Sequence, residues 1–346
     1  MKRILQSLLF AGVLAVGAAL AAPSASAANK PHSPTTVRVI WQPSGEFDYY
    51  YATDHHIWKE FGLKIVPTEI VTGPEELSAM ASNSADIAYM GAPPGITGVA
   101  KGIDMVAVSS GPDEADLDGL YASPKSGIKS IRNLAGKTVG VPKGTTAQVD
   151  MYLDLKQAGV PLKSLHIQYM NPPQILVAME RGNIDAAWVW DSWGQRLVQA
   201  GARLVVTSSV LGVADAAFWW VQRDFLNKHP HAVARFVAAL AYSASLADRT
   251  PGAVVNEYAR ISGINAPQAR LIWKRQPALT IADLTSPTEP LSFLNKKTGV
   301  VETAKRVAGA LVALGVLSKE PANLDSHFDS RPVREALVVL KSHPSR

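Results

Sequence analysis

The chain has 346 residues, a formal net charge of +5 at pH 7 and no cysteine. The missing thiols exclude disulfides, thiolate metal centres, iron–sulfur clusters and a cysteine nucleophile, and basic residues scattered singly leave no nucleic-acid footprint. A chain of this length without covalent staples has to bury large cores, and it has residues enough for two domains.

Lys2 and Arg3 precede an apolar, alanine-rich run over residues 4–22, followed by Pro23-Ser24-Ala25-Ser26-Ala27. That order reads as a secretory signal peptide over residues 1–27, cleaved after Ala27, and so as a protein exported to the periplasm without a membrane anchor. Residues 36–42 alternate as a strand does, residues 50–61 look helical, and residues 63–70 repeat the strand pattern. The cycle continues with a helix over 74–82, a short buried strand over 86–90, a helix over 94–101 and a strand over 105–109. Alternation of this length implies parallel βαβ units covered by helices.

Residues 111–119 form a polar, acidic connector. A strand over 119–123 then crosses into a second cycle, with strands at 138–142, 166–170, 186–190 and 203–207 and helices at 145–158, 172–181 and 192–200. Residues 218–223 read as a strand leading back. The remainder is helical, punctuated by Pro230, Pro251, Pro287 and Pro321. The expected organisation is a discontinuous first lobe, residues 28–122 and 211–346, with a second lobe, residues 123–210, inserted between two crossings that act as a hinge. Ligands of open α/β sheets bind at the carboxyl ends of strands, so the site is expected in the loops that follow them.

Several segments carry a family resemblance in a consistent order: Ser78-Ala79-Met80-Ala81-Ser82 with Asp86-Ile87-Ala88, Leu134-Ala135-Gly136-Lys137-Thr138 running on to Pro142, Asn171-Pro172-Pro173, Glu180-Arg181-Gly182-Asn183-Ile184-Asp185-Ala186, Val189-Trp190, and Arg223-Asp224-Phe225 followed by His229-Pro230. Together they resemble the periplasmic binding proteins of nitrate, sulfonate and taurine ABC importers, most of all the taurine-binding branch. The resemblance implies a type II periplasmic-binding-protein α/β fold with two lobes that close on a ligand, no cofactor, no catalysis, and delivery to an inner-membrane permease by a monomer. Nitrate, a pyrimidine precursor, an aromatic sulfonate, or a sensor role without transport stay open as alternatives.

Gly144, Thr145 and Thr146 follow a predicted strand and open a helix, where unpaired amides and the helix dipole suit an oxyanion. Either threonine can instead be an ordinary N-cap. Gly91 and Ala92 occupy the matching loop of the first lobe, where the sulfonate binders resemble Gly-Ser-Ser-Pro; Ala92 brings no hydroxyl and Pro93 no N–H. Gln42 and Ser44 end the first strand with an amide and a hydroxyl, while nearby Glu46 is expected to face water. Trp190 resembles the family's ligand wall, with a core tryptophan as the plain alternative, and the charge of Asp191 after it would repel a bare dianion but could hold an ammonium. Asp215 and Trp219 lie at the returning crossing, where taurine binders carry an acid that contacts the amine; alignment puts Ala217 at that position and Asp215 two residues earlier, so that either Asp215 substitutes, or the amine contact moves to Asp191, or the ligand carries no amine.

Overall fold

The computed structural model describes residues 33–44, 46–212 and 215–343. The signal peptide expected over residues 1–27 lies outside them. In chain order the elements begin with β1 (Thr35–Trp41), α1 (Phe47–Asp54), α2 (Ile57–Glu60), β2 (Leu63–Glu69), α3 (Gly73–Ala81), β3 (Ile87–Gly91), α4 (Ala92–Ala100) and β4 (Met105–Asp113). They continue with β5 (Gly119–Ala122), β6 (Thr138–Val141), α5 (Thr146–Ala158), β7 (His166–Tyr169), α6 (Pro172–Glu180), β8 (Ala186–Val189), α7 (Asp191–Gln199), β9 (Arg203–Thr207) and β10 (Ala216–Gln222). Helices follow: α8 (Arg223–Lys228), α9 (Pro230–Ala247), α10 (Pro251–Ser262), α11 (Ala266–Arg275), α12 (Ile281–Thr285), α13 (Val300–Ala313) and α14 (Arg331–Ser342). Pro230 and Pro251 each open a helix, the position at which a missing N–H costs nothing.

The strands make two five-stranded sheets, β2-β1-β3-β10-β4 and β7-β6-β8-β5-β9. In the first, β1 runs parallel to β2 and β3, while β10 is antiparallel to both its neighbours. The second repeats this arrangement, with β6 parallel to β7 and β8 and with β5 antiparallel to β8 and β9. The strands expected to carry the chain across and back therefore lie inside the sheets, one in each. β4 extends to Asp113, past the expected end at residue 109, through Gly111 and Pro112. It can do so because it is an edge strand, where a proline forfeits no ladder bond.

Burial explains the sequence of β10. As an inner strand it covers helices on both faces, so Ala-Ala-Phe-Trp-Trp-Val shows no polar alternation. Ala217, Trp219 and Val221 point into a core with α1, α2 and α9, and Ala216, Phe218 and Trp220 into another with α3, α4 and α13. A third core, around Trp188, Tyr121 and Met151, serves the second sheet. Among the described residues no helix is long and apolar enough to cross a membrane.

Candidate functional site

The carboxyl ends of the parallel strands of both sheets meet at one narrow cleft. It is lined by Gln42 and Ser44 beyond β1, Gly73 at the start of α3, Tyr89 and Gly91 on β3, and Pro94 in α4. Glu114, just beyond β4, and Ala217 on β10 complete that side; Thr145 and Thr146 after β6 and Trp190 after β8 form the other. Of the residues expected from sequence, Gln42, Ser44, Gly91, Thr145, Thr146 and Trp190 thus lie together. The others lie elsewhere. Ala92 is buried in the core beneath α4, Trp219 packs against Tyr49, Tyr89 and Phe236, and Asp191 is buried behind Trp190. Gly144 sits one residue before the cleft wall, in a left-handed conformation with φ +77°.

The two threonines have different surroundings. Thr145 stands at the N-cap of α5, but its hydroxyl donates to the Pro142 carbonyl at 2.8 Å and caps no helix amide. Gly144 N–H donates to Gln148 Oε1 at 2.7 Å. The amides of Thr146 and Ala147 have no acceptor among the described residues, so the N-terminus of a 13-residue helix opens on the cleft with donors in hand. Thr146 also closes the gap between the sheets. A β-carbon built on Gly91 meets its Cγ2 at 2.8 Å, so a larger residue there has to displace Thr146.

A hydrogen bond also joins the two sides of the site, where Ser192 Oγ, at the start of α7, donates to the Pro43 carbonyl beyond β1 at 2.6 Å. Glu46 is buried, with 1% of its surface exposed, instead of facing water. Ser44 provides the reason: its amide and hydroxyl both donate to that carboxylate at 3.3 Å. Burial pushes the Glu46 carboxyl well above the usual range, and the charge of Asp191 adds to the shift.

Sequence reasoning missed Glu114 and Tyr89. Glu114 is 4% exposed, and Tyr89 OH donates to its Oε1 at 3.0 Å. Burial raises its carboxyl well above the carboxylate range, and Asp191, Asp215 and Glu46 raise it further. The signal lay in the acidic connector, whose Asp113, Glu114, Asp116 and Asp118 sit on the first crossing, where the sheets meet. Beneath the cleft, carboxylate oxygens of Asp118, Asp150 and Asp215 lie within 4.8 Å of one another, and Ser208 Oγ donates to Asp150 at 2.9 Å. Burial first, and then mutual repulsion, raises Asp118 and Asp150, which fits carboxyls that share protons as well as it fits a cation.

The family model for NMT1/THI5-like proteins matches residues 47–253, well over half of the chain and nearly every element that shapes the cleft. The chain belongs to the NMT1/THI5-like family. Curated relatives of this NMT1/THI5-like chain include aliphatic sulfonates-binding proteins of Escherichia coli, 26% identical over 81% of this chain and 86% of that one, and of Bacillus subtilis, 28% identical over 51% and 53%. The taurine-binding periplasmic protein of Escherichia coli is 27% identical over 58% of this chain and 62% of its own length. Among solved structures, the alkanesulfonate-binding protein of Xanthomonas axonopodis pv. citri bound to MOPS superposes with TM-score 0.74 at 22% identity, over 86% of this chain and 99% of that one. The desulfurization enzyme DszB shares the fold too, with TM-score 0.65 at 14% identity over 88% and 99%. The two-sheet α/β architecture is therefore the periplasmic binding protein fold, which hosts both binders and at least one enzyme.

Proposed function

We propose that this NMT1/THI5-like chain is the solute-binding component of an ABC importer, exported to the periplasm, which captures a small organosulfonate and delivers it to an inner-membrane permease. The observation that supports this reading most is the start of α5, where the amides of Thr146 and Ala147 have no acceptor among the described residues and Thr146 lines the cleft. A tetrahedral oxyanion is held by such amides and by the helix dipole without any cationic side chain. Residues 28–122 with 211–346 act as one lobe and residues 123–210 as the other, with the connections β4–β5 and β9–β10 as the hinge. Ligand held by one lobe stabilises closure of the other, and the permease reads the closed form. The binding-protein names of the sequence relatives support binding over catalysis.

Thermal unfolding with a panel of taurine, alkanesulfonates, aromatic sulfonates and nitrate tests the reading. A ligand at one hundred times its Kd adds about 2.7 kcal/mol to stability, a shift of several degrees. At least one sulfonate is expected to give that shift. A response to nitrate alone, or to none of them, overturns the sulfonate assignment.

A further inference from the structure

Ser192, Arg196 and Gln199 stand at positions i, i+4 and i+7 of α7 and so share one face of it. Trp193 and Leu197, on the other side of the helix, join the core around Trp188. The polar face instead meets the first sheet's loop and the C-terminal helices. From the cleft outward, Ser192 holds the Pro43 carbonyl, the Gln195 carbonyl accepts from Gln268 Nε2 at 3.0 Å, and Gln199 Nε2 reaches Gln268 Oε1. Between them Arg196 donates through Nε at 2.9 Å and Nη2 at 2.5 Å to a single oxygen, the Ser262 carbonyl. That carbonyl ends α10, where the chain turns away through Gly263 at φ +65°. The last carbonyls of a helix lack helical partners and carry the negative end of its dipole, so a cation is well placed there without any acid. Among the described residues Arg196 takes part in no ion pair. Trp193 steadies it, with the guanidinium carbon 4.2 Å from the ring centroid.

These bonds are of a kind that parts easily. Each guanidinium, amide and carbonyl in them finds water when the contact opens, so separation costs little beyond the bonds themselves. The contact that α5 makes with the first sheet's helices is of the other kind. Buried Val149, with Tyr152 and Leu153 beside it, belongs to the apolar core of α4 and α13, and parting it exposes apolar surface. We propose that the polar face of α7 is a latch, with Arg196 at its centre, that holds the two lobes closed from outside the ligand cleft. This rests on the two-lobed, closing reading above. Arg196 does not line the cleft; it is a positioning residue that acts through the closed form. A ligand that needs the closed form loses apparent affinity in proportion to the fraction of chain that is open. Bonds that favour closure therefore tighten every ligand alike, and selectivity stays with the cleft. Gly263 is matched to this role. Its left-handed backbone suits glycine, and Arg196 Nη2 stands 3.5 Å from where a β-carbon would be, so the guanidinium approaches the helix end over bare backbone.

With no cysteine in the chain, a pair of introduced ones reports a single distance. Spin labels at K163C, between α5 and β7, and K274C, on α11, occupy exposed positions. Their separation is read by double electron–electron resonance in the purified chain and in its R196A, R196K and Q199A variants, without ligand and with excess ethanesulfonate or taurine. Calorimetric titration with the same two sulfonates gives affinities, and circular dichroism establishes that each variant is folded. Either sulfonate is expected to gather the unsubstituted chain into a shorter-distance population. R196A is expected to return part of that population to longer distances and to weaken both sulfonates by the same factor, about tenfold. R196K, which keeps one donor, is expected to recover part of the loss, and Q199A, at the exposed outer end, to cost about twofold. A folded R196A with a lower melting temperature but unchanged distances and affinities overturns the latch, and so does one that weakens a single sulfonate and spares the other. If the sulfonates draw the labels together equally in the unsubstituted chain and in R196A, the latch fails and the closing reading stands. If neither sulfonate moves the labels in any chain, and R196A matches the unsubstituted chain without ligand, both fail.

Discussion

Thr145 and Thr146 are neighbours with the same side chain, and their environments assign them different work. The Thr145 hydroxyl is committed to the Pro142 carbonyl, so Thr145→Ala is expected to cost about 1 kcal/mol of fold stability, the worth of one hydrogen bond, and to leave ligand affinity nearly unchanged. Thr146→Ala is expected to do the opposite, lowering affinity about fivefold with little change in melting temperature, because its hydroxyl has no partner among the described residues. Titration and thermal unfolding of both variants check this, and a swapped pattern overturns the assignment. Gly91 adds a steric version of the same point. With Thr146 Cγ2 at 2.8 Å from any β-carbon there, Gly91→Ala is expected to hold the two walls apart and weaken ligand by about tenfold, in keeping with about 1 to 3 kcal/mol for overpacking. Much of this residue-level chemistry was legible in sequence, since strand-to-helix loops place Gly91, Thr145 and Trp190 by rule. The partition between the threonines was not, because it depends on where the Pro142 carbonyl points.

At the level of elements, α7 carries several of the bonds between the two sides, with Arg196 donating to the Ser262 carbonyl, Gln268 Nε2 to the Gln195 carbonyl, and Ser192 making a third contact. Ser192 Oγ reaches from the start of α7 to the Pro43 carbonyl, 149 residues away in sequence. Removing it by Ser192→Ala leaves a buried carbonyl without its partner. Ligand affinity, read by titration, is expected to fall about fivefold, and an unchanged value would mean that this contact does not help hold the cleft shut. Strand and helix order was readable from periodicity, down to β1 and β6 within a residue or two. In the sequence, residues 111–119 read only as a polar, acidic connector, and exposure is the ordinary outcome for Asp and Glu. Pairing of β10 between β3 and β4 reverses that outcome for Glu114, and no local pattern reports on a partner strand about a hundred residues later.

For the molecule as a whole, buried carboxyls set how stability depends on pH. Burial raises Asp48 and Asp154 to about 7 and Asp113 to about 6. A raised value in the folded state means that the native protein holds protons the unfolded chain releases near pH 4. Their stabilisation is complete below that point and is lost as pH rises through 6 to 7, so the melting temperature is expected to be higher at pH 5 than at pH 8. A scan of thermal unfolding from pH 4.5 to 8.5 in constant salt measures it, and a maximum at pH 8 or above would contradict the burial of these groups.

The repeated strand order, with one antiparallel strand inserted beside the fourth strand of each sheet, also dictates a sequence of assembly. The second sheet is complete once residues 119–207 have emerged. The first is not: β3 and β4 each keep an open ladder until β10 arrives at residues 216–222. During synthesis the N-terminal segment therefore waits, with two unpaired edges, for a strand made about a hundred residues after β4. Open edges of this kind invite pairing with other chains, which makes the interval before β10 emerges the point at which this chain most needs a holding chaperone.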